Sequence, residues 1–268
     1  MLGLSIYIVG NVLSFVAFAF ASQSLVAPLG ASGLASNVVF APLINKEVVL
    51  ITDYIGIVFI VLGSLVVLIV SPSNEKPYTV DELMQMYTEI PTILLLLTLA
   101  IASLAAYGLT WRKRTSQALS IDEDLILLDP GKRKNQSLLI PISYTFLSAV
   151  SATLTTLLSK SLIELLNETF RGNNQFNTLL PYIFIVLVGV FALAQLYFIN
   201  KGLQAFDALL VMPLFHAVWT LLTVLCGGVY FSDFSGLGLG KILIFLIGVL
   251  LGLIGAVVLS LRHNKQKE

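Results

Sequence analysis

Charged residues are scarce in this sequence: Asp, Glu, Lys and Arg make up 11% of the 268 residues, whereas hydrophobic residues make up 57%. A soluble domain carries about 25% charged residues, so this composition excludes one. A single cysteine, Cys226, excludes an intrachain disulfide. The sequence also lacks a Cys/His cluster with metal-ligand spacing, a nucleophile elbow and a phosphate-binding loop. These absences argue against an enzyme, and we expect no cofactor.

Long apolar runs fill most of the chain instead. A helix needs about 20 largely apolar residues to cross the hydrocarbon layer, and its backbone amides must be bonded within the segment. No run alternates with a period of two, which favours helices over a barrel. We therefore predict an all-α, polytopic transmembrane helix bundle of about eight spans. They are named A to H: 2–20, 25–44, 51–70, 90–110, 138–158, 179–199, 208–228 and 239–261.

One phrase occurs twice in the chain. Residues 22–29 read SQSLVAPL and residues 207–214 read DALLVMPL, with proline at the same place. The helix after each phrase carries two glycines seven residues apart: Gly56 and Gly63 in span C, Gly248 and Gly255 in span H. Repeated spans are five helices apart, and an odd separation reverses their orientation. The sequence thus predicts inverted repeats that pair A with F, B with G and C with H.

Lysine and arginine are distributed unevenly between the predicted loops. One side holds most of them: Lys46, Arg112, Lys113, Arg114, Lys132, Arg133, Lys134, Lys201, Arg262, Lys265 and Lys267. The other side has Lys76, Arg171, Lys241 and the borderline Lys160. Because cytoplasmic loops retain an excess of positive charge, we predict that both termini are cytoplasmic. Within a single transmembrane domain, 1–268, repeat one is then 1–111, the cytoplasmic loop 112–137, repeat two 138–261 and the cytoplasmic tail 262–268.

Two short motifs bear on processing of the chain. The run 2–20, with the letters AFAS at 19–22, resembles a secretory signal peptide with its cleavage site. A first span is the preferred interpretation, because no basic region precedes the run and span F would lose its repeat partner. Asn167 begins the sequon NET in the E–F loop, on the non-cytoplasmic side, and is a glycosylation candidate.

Pro28 and Pro213 occupy equivalent places in the repeated phrase. A proline inside a helix removes a backbone donor and frees a carbonyl one turn earlier. Either proline alone indicates a simple kink, whereas the equivalent pair favours a shared opening at the repeat interface equally well. Both are therefore candidate hinge or pathway residues.

Ionisable side chains inside lipid are costly and are treated as candidate functional groups. Asp207 lies six residues before Pro213, and its position supports a ligand role and a solvated helix end equally well. For Glu47 a solvated helix end is the preferred interpretation. His216, one turn past Pro213, is a candidate pathway residue, although a neutral histidine bonded to a neighbouring helix is the simpler interpretation. Lys160, at the predicted end of span E, is expected to snorkel to the membrane interface.

Several stretches resemble the NIPA-type magnesium transporters of the drug/metabolite transporter superfamily. They are FAFASQSLVAPLG at 18–30, LINKE at 43–47, LSKSLIELL at 158–166, QLYFINKGLQAFDALLVMPLFHAVWT at 195–220 and FSDF at 231–234. The resemblance covers nearly all eight spans. It implies a carrier-like membrane protein that moves Mg²⁺ at the plasma membrane or the early endosome.

The resemblance also implies roles for particular residues. Glu47 stands where the family has an acidic residue after a helix, Asp207 is its aspartate before the proline, and Asp233 replaces its glutamate. Asn11 stands where the family usually has a glutamate, which removes one candidate cation ligand. The family usually begins one helix earlier than Met1, so a short form or an incomplete gene model is expected.

Together these features lead to one hypothesis and two alternatives. The hypothesis is electrogenic Mg²⁺ uptake between inverted repeats, with Asp207 and Glu47 attracting or coordinating the ion. The expected partners are Mg²⁺ as transported substrate and the lipid bilayer. A homodimer is compatible with the sequence, and no nucleic acid is expected to bind. A small-metabolite exchanger of the same superfamily would instead depend on Lys160 or His216. The third interpretation is a membrane partner that does not transport, because it has lost the first helix and has Asn11 in place of the family's glutamate.

Overall fold

The structure is a computed structural model that describes residues 13, 25, 28, 30, 51–70, 78–124, 139–205, 208–232, 234 and 237–260. These residues form seven longer helices and no strand, which confirms the predicted all-α class. The helices are α1 (Ile51–Val70), α2 (Val80–Thr88), α3 (Ile90–Asp124), α4 (Leu139–Phe170), α5 (Leu180–Ala205), α6 (Ala208–Tyr230) and α7 (Leu239–Ser260). A 3-10 turn, Gln175–Asn177, lies between α4 and α5.

Six of the predicted spans, C to H, correspond to helices α1 and α3–α7. Predicted span C and α1 have the same bounds, and α3, α6 and α7 begin where spans D, G and H were predicted to begin. Within the described residues, four stretches are long and apolar enough to cross a membrane: Ile90–Arg112, Leu139–Phe170, Leu180–Gln204 and Leu239–Val258. Two shorter apolar stretches are Tyr54–Val70 and Leu214–Tyr230. Spans A and B lie outside the described residues apart from four positions, so the count of eight remains a prediction.

Helix α4 is the centre of the described bundle. It packs along α5, α6 and α3. Of the four membrane-length stretches it is the least apolar and also the most buried. A polar helix avoids lipid when other helices surround it, so this arrangement follows from the high cost of exposing polar groups to hydrocarbon.

Helices α1 and α7 pack antiparallel through their glycines. A Cβ atom built on Gly63 would lie 2.5 Å from the carbonyl oxygen of Gly248, and one built on Gly255 would lie 2.6 Å from the carbonyl oxygen of Gly56. Side chains do not fit at such distances, so the two backbones are in direct contact, as small residues allow in membranes. The contact is reciprocal, because the first glycine of the pair in each helix contacts the second glycine of the pair in the other helix.

The sequence did not predict α2, which covers one end of the bundle. Thr79 begins it with a capping box: Glu82 N donates to Thr79 Oγ1 (3.3 Å), and Thr79 N donates to Glu82 Oε2 (2.8 Å). Leu83 is fully buried, and its carbonyl oxygen accepts from the hydroxyl of Tyr230 at 3.3 Å. The backbone N–H of Val80 donates to Gln175 Oε1 at 3.0 Å. These bonds attach α2 to the end of α6 and to the turn after α4.

Candidate functional site

A small cavity lies where α1, α6 and α7 meet Pro28. It has room for about one water molecule. Ser64 of α1 and His216 and Thr220 of α6 supply its polar wall, and small residues of α7 supply much of the rest. Pro28 and His216 were candidate pathway residues, and the structure brings the two together at one cavity.

Two polar atoms at this cavity have no hydrogen-bond partner in the part of the chain that the structure describes. They are the hydroxyl oxygen of Ser64 and Nδ1 of His216, both buried. Leaving a buried donor or acceptor unpaired costs roughly 1–3 kcal/mol. Among the described residues, Nδ1 does not make the expected bond from the histidine to a neighbouring helix. A water molecule or the hydration shell of an ion would satisfy both atoms.

Aromatic side chains hold His216 in place. The rings of Phe215 and Trp219 are parallel, with centroids 6.4 Å apart, and both meet the His216 ring edge to face. On the other side, a Cβ atom built on Gly30 would lie 2.9 Å from the Trp219 ring. Trp219, one turn from His216 on α6, is therefore packed tightly against Gly30, two residues after Pro28.

A buried ion pair lies within α4. Lys160 Nζ and Glu164 Oε1 are 2.7 Å apart, and their side chains are 2% and 3% exposed. The expectation that Lys160 snorkels to the interface is wrong, because α4 continues to Phe170 rather than ending near residue 158, and neighbouring helices enclose it. Glu164 was not selected from the sequence. A lysine followed by a glutamate four residues later, inside an apolar run, is the signal that would have identified it.

Helix stability does not account for this pair. Removing each charge from water costs several kcal/mol, and the mutual attraction offsets this cost only when geometry and further hydrogen bonds are favourable. In addition, a helix is stabilised more by glutamate four residues before lysine than by the reverse order present here. Ionisable residues that are enclosed in a membrane bundle and paired with one another mark functional sites by default.

Buried polar side chains connect the cavity with the ion pair. We call them the polar seam: Thr220 and Thr223 of α6, then Thr153, Thr156, Lys160 and Glu164 of α4. Thr220 lines the cavity, and Thr223 lies one turn further along α6. The hydroxyl oxygens of Thr223 and Thr153 are 3.4 Å apart, which carries the seam from α6 to α4. Steps of three and four residues then keep the α4 members on one face of the helix.

Hydroxyl groups of the seam donate hydrogen bonds to the backbone of their own helix. Thr153 donates to the carbonyl of Ala149 and Thr156 to the carbonyl of Ala152, both at 2.9 Å. Each hydroxyl proton is thereby directed at the helix backbone, while the oxygen keeps acceptor capacity. Neutral oxygen atoms and one carboxylate are the ligand types preferred by hard divalent cations.

Helix α2 reaches α4 in the same turn as the ion pair. The hydroxyls of Tyr87 and Ser161 are 3.5 Å apart, and Ser161 is the neighbour of Lys160 in the chain. The Tyr87 ring packs on Tyr230 with centroids 4.4 Å apart. Burial raises the pKa of the Tyr87 hydroxyl, so it stays protonated and neutral.

The predicted acidic ligands are not among the residues that the structure describes. Asp207, Glu47 and Asp233 all lie outside them, as do the pathway candidate Asn11 and the side chain of Pro213, although α6 is helical at that position. In the described part of the chain, no three His, Cys, Asp or Glu residues are grouped as a metal site. Asn167 lies in the last turn of α4 and is half-buried; its predicted position in a loop is wrong because α4 is longer than span E.

The helices and the enclosed polar seam define a class of protein, a polytopic helical membrane protein with a polar interior. The chain belongs to a family within this class, described as Magnesium transporter NIPA, which it matches over residues 1–121 and 124–267. This is a family of membrane transporters and not of enzymes, in agreement with the sequence analysis.

Named relatives point the same way at low identity. The chain is 27% identical over 99% of its length to a protein of Arabidopsis thaliana named Probable magnesium transporter NIPA8, and spans 59% of that protein. It is 25% identical to Probable magnesium transporter NIPA6 of the same plant, over 99% of the chain and 75% of the relative. A Probable magnesium transporter of Candida albicans is 25% identical, over 96% of the chain and 64% of that protein. No solved structure matches the chain.

Proposed function

We propose that this protein carries Mg²⁺ across a membrane as an electrogenic uptake pathway. The observation that carries the proposal is the polar seam, which runs through the most enclosed helix of a chain in the NIPA family. Hydroxyl oxygens from Thr220 to Thr156 offer weak, neutral ligands. Such walls suit Mg²⁺, which dehydrates reluctantly and keeps several of its waters when bound.

Two inverted repeats form the architecture of this proposal, joined by the cytoplasmic loop 112–137, with both termini cytoplasmic. The reciprocal contacts of Gly56 with Gly255 and of Gly63 with Gly248 support this two-fold arrangement, because a two-fold axis between α1 and α7 exchanges them. The cavity beside Pro28 and His216 then lies at the repeat interface. The proposed locations are the plasma membrane and the early endosome. Two copies of the chain are proposed to be able to form a homodimer.

In this pathway the acidic residues act at the ends and the seam acts inside. Asp207, Glu47 and Asp233 are proposed to attract the hydrated ion or to bind it through water. A carboxylate at a pathway entrance raises the local concentration of cations without holding them tightly. Pro28 and Pro213 are proposed to open the repeat interface, and His216 to contact the hydrated ion.

Transport assays with two acidic substitutions test this function. In proteoliposomes with an entrapped Mg²⁺-sensitive dye and an inside-negative potential, wild-type protein is expected to admit Mg²⁺. Asp207→Asn and Glu47→Gln are each expected to lower the rate by about tenfold or more, since even outer-shell partners of a metal contribute roughly 10–100-fold to affinity. Asp81→Asn is the matched control, because Asp81 is an exposed carboxylate at the start of α2.

The outcomes separate the parts of the proposal. Unchanged flux in both acidic variants would contradict the roles of Asp207 and Glu47 while leaving transport intact. Absence of Mg²⁺ influx with folded wild-type protein would contradict Mg²⁺ uptake itself. Flux that requires an organic counter-substrate and ignores the membrane potential would favour the metabolite exchanger.

A further inference from the structure

The Lys160–Glu164 pair is the charged end of the polar seam, and none of the roles above uses it. We propose that Glu164 is an internal Mg²⁺ ligand and that Lys160 is a built-in competing cation, which occupies the carboxylate until the ion displaces it. This inference rests on the proposed function and adds a binding site to it.

The position of the pair supports a ligand role. Glu164 is on the same face of α4 as Thr156 and Thr153, so an ion that follows the seam reaches its carboxylate after passing neutral hydroxyl oxygens. Both charged side chains are almost completely buried, and the carboxylate is already in contact with a cationic group. The structure therefore shows an interior position that accepts a positive charge.

The chemistry of lysine supports a displaceable partner. Its ammonium is a compact, strongly hydrated charge on a flexible four-carbon stem, whereas arginine would hold the carboxylate with a rigid two-pronged contact. An ammonium group can withdraw from Glu164 without a movement of the helix. Once withdrawn, it remains close enough to repel the bound ion.

Such competition would solve a problem that every ion pathway has. A site must attract the ion well enough to admit it and release it fast enough to sustain flux. A buried carboxylate alone would hold a divalent cation too long. Lys160 lowers the net affinity at Glu164, and its return to the carboxylate accompanies release of the ion.

Substitutions at both positions give opposite expected changes in Mg²⁺ affinity. The full chain is purified, and the half-saturating MgCl₂ concentration is read from the rise in melting temperature and, separately, from flux in proteoliposomes. Lys160→Gln is expected to lower this concentration by about tenfold, the size of effect that an adjacent charge has on the proton affinity of a carboxylate. Lys160→Arg keeps the charge and is expected to raise it, because guanidinium binds a carboxylate more firmly.

The carboxylate is tested by a single and a double variant. Glu164→Gln is expected to lose Mg²⁺-dependent stabilisation and most of the flux. The double variant Lys160→Gln with Glu164→Gln removes both buried charges, so its melting temperature is expected to recover while its flux does not. Glu168→Gln is the control, because it makes the same chemical change one turn further along α4.

The results distinguish this site from a structural ion pair. Flux at the wild-type rate and half-saturation in the double variant would show that the pair only supports the fold, and would overturn the inference. A shift in the same direction for Lys160→Gln and Lys160→Arg would also overturn it. If wild-type protein admits no Mg²⁺, the proposed function fails alone, and the melting-temperature series still decides whether Glu164 binds the ion.

Discussion

Gly255→Ala is expected to destabilise the protein by about 1–3 kcal/mol or more, the usual effect of overpacking a well-packed contact. A Cβ atom there would lie 2.6 Å from the carbonyl oxygen of Gly56 and 2.8 Å from the backbone nitrogen of Ile60. Both are backbone atoms of α1 and cannot move aside as a flexible side chain can. The two helices would have to separate along their shared line of glycines.

Gly252→Ala is the matched control on the same helix. A Cβ atom at Gly252 meets no atom of the described residues within 4 Å, and alanine is favoured over glycine in a helix by about 0.8–1.0 kcal/mol. We therefore expect this variant to be as stable as the wild type or slightly more stable. Gly63→Ala should match Gly255→Ala, because Gly63 makes the reciprocal contact with Gly248.

A thiol-reactive fluorophore measures these differences directly. The chain has one cysteine, Cys226, which is completely buried, so its labelling during a temperature ramp reports opening of the bundle. A lower melting temperature for Gly255→Ala and Gly63→Ala than for Gly252→Ala is the expected order. Equal melting temperatures would contradict direct backbone contact between α1 and α7.

The spans were predictable because each of them contains an apolar run long enough to cross the membrane. Span C was predicted at its observed bounds, because the residues from Tyr54 to Val70 include no charged side chain and are long enough, with the preceding turn, to form a span. The end of α4 was not predictable by the same rule. Lys160 was expected at the end of a span because charges are costly in lipid, whereas in the folded bundle Lys160 and Glu164 are both buried within protein.

The short helix α2 was missed for a different reason. It has nine residues and no membrane-length apolar run, and its capping box at Thr79 and Glu82 is a local signal. Burial of Leu83 comes from contacts with distant parts of the chain, including Tyr230. Local patterns reveal how a helix begins, but not the surface that covers it.

The candidate site also has one part that the sequence indicates and one part that only the folded structure reveals. The repeated phrase directed attention to Pro28 and His216, and both line the cavity. The 3.4 Å approach of Thr153 and Thr223 joins helices seventy residues apart in the chain, and no local spacing predicts it. Threonines are also common in helices, where they bond to their own backbone, so a polar seam becomes visible only once the helices are packed.

The membrane potential should have the largest effect on transport. A divalent cation moving through an uncoupled pathway gains about 2.3 kcal/mol per charge per 100 mV, hence roughly 4.6 kcal/mol in total. Because every 1.4 kcal/mol is a factor of ten, an inside-negative potential of about 100 mV is expected to concentrate Mg²⁺ roughly 2,000-fold at equilibrium. This driving force needs no second ion.

Liposomes with a potassium gradient and valinomycin impose this potential with either sign. Inside-negative vesicles are expected to take up Mg²⁺ against its gradient, and inside-positive vesicles to lose it, with protein-free vesicles as control. Uptake that ignores the sign of the potential would contradict an electrogenic pathway. Such a result would require an exchanged ion to balance the two charges of Mg²⁺.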